Sequence, residues 1–361
     1  MKRFLRIAAA LLAALMIICS VTGCSKTVDY EKYSTTVAAT YGDQKIYMDE
    51  ANFMLNLQRW AYEDAYWYYY YQYYGVTDMW STASPDGSNK TFGEYLRETN
   101  MAALIQCRII NDHAAELGVS LTEADEAKIA ANTQELRDTY AEELFTKYAP
   151  VTDEQINEWT RTNALANKVM DAVKKQAQID ISLGEIDTMS VSYCFITEKD
   201  STSSESSEEA PADPAIAALE KEPLANAVLA KLQEGESLTD IAETYTQINP
   251  YDQTYLVAET DTDTFVKKSA LTMNDGESKI FYSEGSGWYV IKLHHMHDEE
   301  ATASKRASVE DSKRTDHFNE VLQEWTANAP AYKVNSCYED LKVTGLIFVY
   351  KEESDTTSSA G

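Results

Sequence analysis

The feature that most limits the fold of this chain is a change of periodicity near Ile179. Ahead of it, apolar residues recur at helical spacing, as in Ile156, Trp159, Leu165, Val169 and Val173. Past it, Met189-Ser-Val-Ser-Tyr-Cys-Phe-Ile196 alternates as a half-buried strand does. Helical spacing returns at Leu224, Val228, Leu229 and Leu232, stops at Gly235 and resumes through Leu238, Ile241 and Ala242. Trp288-Tyr-Val-Ile-Lys-Leu293 then reads as a second strand, and roughly 308–327 as a last amphipathic helix carrying Phe318, Val321, Leu322 and Trp325. A long helical block followed by a short mixed module belongs to the α+β class; regular βα alternation, the mark of a parallel sheet, is missing.

Local signals mark the joints. Thr36–Tyr41, Gly42-Asp43 and Lys45-Ile-Tyr47 read as a hairpin with Gly-Asp in the turn. Asp49 is the expected N-cap of the helix that follows, which runs into the tract Trp60–Tyr74 and stops before Gly75. A second helix is predicted over Phe92–Leu117 with Gly118 as its terminator. Val119 to Asp125 reads as a cap and restart. Thr152-Asp-Glu-Gln155 is a capping box opening another helix. Residues 201–213, rich in Ser, Glu and Pro, cannot bury a core and read as a disordered insertion. Leu341–Tyr350 reads as one more strand, and 351–361 as a disordered tail.

The N-terminus has the layout of an export signal. Lys2, Arg3 and Arg6 precede an apolar run from Ile7 to Cys19, shorter than the ~20 residues a mature span needs. Val21-Thr22-Gly23-Cys24 resembles a lipobox, so Cys24 is the expected lipidation site and the expected membrane attachment. Two acyl chains at about 0.8 kcal/mol per buried CH₂ hold a protein stably where one does not. The chain carries 31 basic and 59 acidic residues, net −28, and loss of residues 1–23 makes it more negative still. Such a field repels nucleic acid and anionic headgroups. After Cys19 and Cys24, the cysteines are Cys107, Cys194 and Cys337, an odd and widely spaced set that argues against a disulfide framework. Nothing in it selects one bridge.

The order of these pieces resembles lipid-anchored extracytoplasmic foldases of the PrsA type, related to the chaperone SurA. The similar stretches are Ala38–Tyr47, Glu116-Leu-Gly-Val-Ser-Leu-Thr122 and Thr152–Val173 in the first half. In the second they are Leu232-Gln-Glu-Gly235-Glu-Ser-Leu238-Thr-Asp-Ile241-Ala242-Glu-Thr-Tyr245-Thr246, Leu271 to Ser278 and Gly287-Trp-Tyr-Val-Ile291. The resemblance implies a helical chaperone domain formed by N-terminal and C-terminal segments. Into it would be inserted a parvulin-like module with an antiparallel-rich four-stranded sheet and helices. The implied division is a signal peptide over 1–23, a tether over 24–35, the chaperone domain over 36–185, the module over 186–298, and a C-terminal helix and strand over 299–350. It also implies unfolded or newly secreted polypeptides as partners, with a homodimer left open, and no cofactor or metal.

Where the family pattern has a His on the first strand and another on the last, this chain is read as having Cys194 and Tyr289, facing each other across a proline pocket. Asp261 stands where the pattern has Met, and Phe265 is kept. An Asp beside an apolar floor is unfavourable, so proline isomerisation is expected to be weak or lost. An active isomerase and a solute-binding or surface-interaction lipoprotein remain as alternatives. The run Tyr66-Trp-Tyr-Tyr-Tyr-Tyr-Gln-Tyr-Tyr74 has more aromatics than one buried helix face absorbs. Tyr69, Tyr70 and Tyr73 are candidates for client contact, the other reading being packing within the domain. His294-His-Met-His297 is read as a strand-end cluster rather than a metal site.

Overall fold

The computed structural model describes residues 30–197, 221–258 and 264–347. Expectations on the signal segment, Cys24, Asp261, the 201–213 insertion and the 351–361 tail fall outside those residues. The chain forms two compact units, Met1–Gln176 with Phe318–Gly361, and Ala177–His317.

The first unit opens with strands β1 (Val37–Tyr41) and β2 (Gln44–Tyr47), joined through Gly42, whose φ of +53° suits a residue without Cβ. Helix α1 (Met48–Tyr74) follows directly and ends before Gly75. Asp49 does not cap it. The helix starts one residue earlier, and Asp49 in its first turn accepts from the Glu50 amide at 2.9 Å. Helix α2 (Phe92–Asp112) opens on a Thr91/Glu94 capping box and stops short of the predicted Leu117, the residues to Gly118 forming turns. Helix α3 (Glu123–Thr139) restarts at a Thr122/Asp125 box. Helix α4 (Asp153–Gln176) has the predicted box, Thr152 N–H donating to Gln155 Oε1 at 2.9 Å and Gln155 N–H to Thr152 Oγ1 at 3.3 Å.

Its core gathers Met101, Leu104 and Ile105 of α2, Val169 and Val173 of α4, and Ala38, Tyr41 and Ile46 of the hairpin.

The second unit is built on one antiparallel sheet, in the order β4-β3-β6-β5. Its elements are β3 (Thr188–Thr197), α5 (Lys221–Glu234), α6 (Leu238–Thr244), β4 (Pro250–Leu256), α7 (Phe265–Ala270), β5 (Ser278–Ser283) and β6 (Gly287–His295). Strand β3 alternates between two buried faces. Cys194 and Ile196 pack with Leu224, Val228, Leu232 and Ile241 of α5 and α6. Met189 and Val191 pack with Val266 and Ala270 of α7 and with Ile291 and Leu293 of β6.

Helix α8 (Glu299–Asn328) begins nine residues earlier than the sequence suggests and supplies residues to both units. Its apolar anchors Phe318 and Leu322 belong to the core of the first. Its start is fixed in the second by Asp298, which accepts from Ala301 N–H at 2.8 Å and Ser190 Oγ at 2.6 Å.

Past α8 the predicted strand over Leu341–Tyr350 is corrected. Residues 341–347 pair with no strand, and 348–350 lie outside the described residues. The strand is instead β7 (Tyr332–Val334), which pairs with β1 through Ala39↔Val334 and completes the order β2-β1-β7. A short helix α9 (Ser336–Glu339) follows, placing Tyr338, 1% exposed, so that its hydroxyl donates to Arg97 O and accepts from Asn100 Nδ2, both at 2.8 Å.

Candidate functional site

The pairing of β3 with β6 decides which side chains share a face. Cys194 is opposite Val290, and Phe195 is opposite Tyr289. Residues directly across an antiparallel pair point to the same side, and a shift of one residue sends a side chain to the other. Cys194 therefore does not face Tyr289. It lies fully buried on the α5–α6 side, where burial pushes its thiol up to about 12, partly countered by its hydrogen bond with the Val290 backbone. The expected Cys194/Tyr289 pair is corrected to a set of aromatic rings around Tyr289.

That set lies on the α7 side of the sheet. Tyr289 meets Phe195 at 4.7 Å between centroids and Phe265, the first residue of α7, at 4.8 Å. Tyr193 is 6.5 Å from Tyr289 and stacks on Tyr251 of the edge strand β4 at 5.2 Å with the planes 23° apart. The five rings make a ribbon across β4, β3 and β6 and onto α7. Tyr251 is exposed and the other four are half-buried. Burial first, then the neighbouring phenols Tyr255, Tyr251 and Tyr289, raise the Tyr193 hydroxyl above its ordinary value. No imidazole belongs to the ribbon. Its chemistry is that of flat apolar faces with phenol hydroxyls, suited to proline rings and aliphatic side chains.

The histidines of the 294–297 cluster go elsewhere. His294 Nε2 lies 2.6 Å from Ser192 Oγ, and that hydroxyl donates to Asp252 Oδ1 at 2.5 Å. Burial, then the charge of Lys292, lowers the His294 pKa. Carboxylate and imidazole both meet the hydroxyl, so Asp252 does not orient the imidazole as a serine nucleophile would require. His295 is paired with Asp275 at 3.7 Å and His297 with Asp187 at 2.8 Å. An open cleft of about 680 Å³ lies by the start of β3 and of α8, with Thr188, Asp298, Glu300 and Lys305 beside Tyr255 and Leu256 in its lining. It contains none of Tyr193, Phe265 or Tyr289.

In the first unit the tyrosine tract is the end of α1. Tyr73 is 74% exposed, Tyr74 63% and Tyr69 47%. Tyr69 packs against Tyr73 at 5.2 Å and against Tyr74 at 5.3 Å, and the hydroxyls of Tyr69 and Tyr74 are 3.1 Å apart. Tyr70 differs from its neighbours: it is half-buried against the cluster of Leu55, Met79, Trp80 and Phe92.

Tyr193, Phe195 and Tyr251 were not singled out from sequence. The period of two over Met189–Ile196 is visible in the sequence, but its phase relative to β6 is not.

No family model matches the chain, and no curated protein matches it. Solved structures do. One is from work on PEB4 and Cj1289, two SurA-like chaperones of Campylobacter jejuni, at 9% identity and a TM-score of 0.28, covering 83% of this chain and 99% of that one. Another is the foldase protein PrsA of Streptococcus pneumoniae, at 19% identity and a TM-score of 0.29, covering 70% and 94%. A third is PrsA of Bacillus subtilis, at 14% identity and a TM-score of 0.24, also covering 70% and 94%. The chain is α+β and, over seven- to eight-tenths of its length, is similar to SurA-like chaperones and PrsA foldases of known structure.

Proposed function

We propose that the chain is a lipid-tethered extracytoplasmic chaperone that holds unfolded secreted polypeptides on aromatic surfaces, with proline isomerisation weak or lost. In this reading the first unit is the chaperone domain, the second is a parvulin-like module turned to binding, and Cys24 carries the anchor. The observation that carries it is the ribbon Tyr251–Tyr193–Tyr289–Phe195/Phe265, open to solvent and free of histidine.

Rotation about an X–Pro bond must cross about 18–20 kcal/mol. Lowering that barrier calls for a site that excludes water and favours the twisted amide. Rings half in water leave the amide hydrated, yet they still cover the apolar faces of proline and aliphatic residues. Binding without catalysis follows from that difference. The order of sequence motifs shared with PrsA-type foldases supports the same reading.

The test is a pair of assays on the full chain. Light scattering of a chemically unfolded client should fall with increasing chain. A protease-coupled assay on a proline tetrapeptide should show only the uncatalysed rate. Scattering unchanged by the chain would remove the chaperone reading. A rate that rises in proportion to added chain would instead establish an isomerase.

A further inference from the structure

We propose that the groove of the first unit now holding residues 341–347 is a binding site for unfolded polypeptide with apolar residues four apart and a glycine between them, and that the chain's own segment is its exchangeable occupant. This rests on the chaperone reading and gives it a second, differently built site.

The segment lies in the groove as a ligand would. It joins no sheet, and groove side chains hold its backbone. Arg97 Nη1 donates to Leu341 O at 2.7 Å. Arg59 Nη2 donates to the carbonyls of Thr344 and Gly345, each at 2.9 Å. The Ile347 amide donates to Glu63 Oε2 at 2.7 Å. Every one of these bonds goes to a main-chain group, which any sequence presents. Specificity is left to two apolar seats and the glycine between them. Val343 enters the cluster of Leu55, Met79, Trp80, Phe92 and Leu96. Ile347 enters that of Phe53, Trp60, Leu144 and Phe145. Between those seats the backbone bends at Gly345, whose φ of +63° suits a residue without Cβ, so a glycine belongs to what the groove selects. Thr344, Gly345 and Leu346 between them face solvent, as does Lys342 before them, Leu346 being 44% exposed.

Two features of the groove serve an incoming backbone rather than the helices that carry them. At Gly93 a Cβ would come within 2.5 Å of the Val343 carbonyl oxygen, so the missing side chain is what lets the segment lie that close. Arg59 and Glu63 form an ion pair of 3.3 Å in which both side chains are buried, and Glu63 Oε1 also accepts from the Trp80 indole at 2.6 Å. A buried ion pair is a weak source of stability, because the desolvation of both charges offsets their attraction. Here the pair leaves one guanidinium nitrogen and one carboxylate oxygen aimed at main-chain acceptors and a main-chain donor. A client stretch in the same place would take up the same bonds.

Amide hydrogen exchange on the full chain tests this, with reduced, carboxymethylated lactalbumin as the unfolded probe. Saturating probe should lower the protection of the Ile347 amide, which donates to Glu63, at least about tenfold, exchange reading local release of the segment. Protection in β1 and β2 should be unchanged. Val343→Asp, which unseats one anchor, should tighten probe binding by a similar factor. If that variant does not fold, exchange on the unaltered chain decides alone. Probe bound with the Ile347 amide still protected overturns this inference and leaves the chaperone reading intact. Absence of probe binding overturns both.

Discussion

Phe265 and Tyr289 meet ring to ring at 4.8 Å, one from the first turn of α7 and the other from the third position of β6, while Cys194 lies on the far side of the same sheet. The face proposed to bind clients is therefore aromatic, and the cysteine belongs to the core behind it. Tyr289→Ala should weaken binding of a proline-rich unfolded peptide about 2- to 12-fold, the equivalent of 0.5–1.5 kcal/mol for lost ring contacts. Cys194→Ala should leave that affinity unchanged and lower stability. Isothermal titration and urea unfolding on the two variants separate the effects. Equal losses of affinity in both would contradict the assignment of faces.

The thiols follow from the same burial. Burial holds Cys194 at about 12 and Cys107 at about 11, and raises Cys337 as well. The thiolate is the reactive form. Iodoacetamide at pH 8 should therefore label Cys337, the half-buried one, before either of the others. Mass mapping after partial alkylation reads the order. Cys194 labelled first in folded protein would be inconsistent with its place between β3 and α5.

The tyrosine surface of α1 calls for a choice of residues that the sequence did not provide. Tyr69, Tyr73 and Tyr74 are exposed, whereas Tyr70 packs beside Trp80. The triple change Tyr69→Ser, Tyr73→Ser, Tyr74→Ser should reduce suppression of client aggregation while the melting temperature stays put. Tyr70→Ser should lower the melting temperature instead. Undiminished suppression in the triple variant would retire this surface as a client contact.

Acid should act on the second unit through Glu185. Lys313 Nζ lies 2.7 Å from Glu185 Oε1 and, with the Ser182 backbone amide, holds its carboxyl at about 2 against an ordinary 4.5. A lowered folded-state pKa means the unfolded chain binds the proton more readily. Whatever this pair contributes is then complete above about pH 4.5 and lost as pH falls toward 2. Lys313→Ala should move the Glu185 titration, followed by carboxyl carbon NMR, back toward 4.5. The Ser182 amide should keep it below that value.

Glu63 is 0% exposed and joins Arg59, Trp80 and the Ile347 amide. Glu63→Ala should cost about 3–5 kcal/mol in urea unfolding, the usual loss when one partner of a buried ion pair is removed. A loss within the range of a surface substitution would mean that the Arg59 charge finds another partner.

The helices of the first unit were legible because their signals are local. The Thr152/Gln155 box and the Gly42-Asp43 turn depend on residues within three or four positions of one another. What the sequence hid depends on distant partners. Strand β7 has three residues and exists only because β1 offers an edge, whereas the apolar run after Leu341 looks like a strand and finds groove side chains instead. Strand β4 is mostly solvent-facing, so it lacks the burial alternation that reveals β3. The first turns of α8 carry Glu, Ala, Thr and Ser with few apolar residues, and no periodicity announces them. The candidate site shows the same limit. The resemblance places Phe265 and Tyr289 in one pocket, and their rings do meet, but it sets Cys194 beside them where Tyr193 stands, because a strand shows which residues alternate and not which set faces its neighbour.

The sheet of the first unit has a consequence for the order of assembly. Asn335 hydrogen-bonds Val37, 298 positions earlier, and β7 pairs with β1 beside it. A chain that emerges N-terminus first has its opening hairpin in place long before the third strand arrives. The 177–317 unit, contiguous in sequence, has all its strands by then. The first unit must wait with an unpaired edge until residues 332–334 have been made, so its opening hairpin is completed after the unit that follows it in the chain.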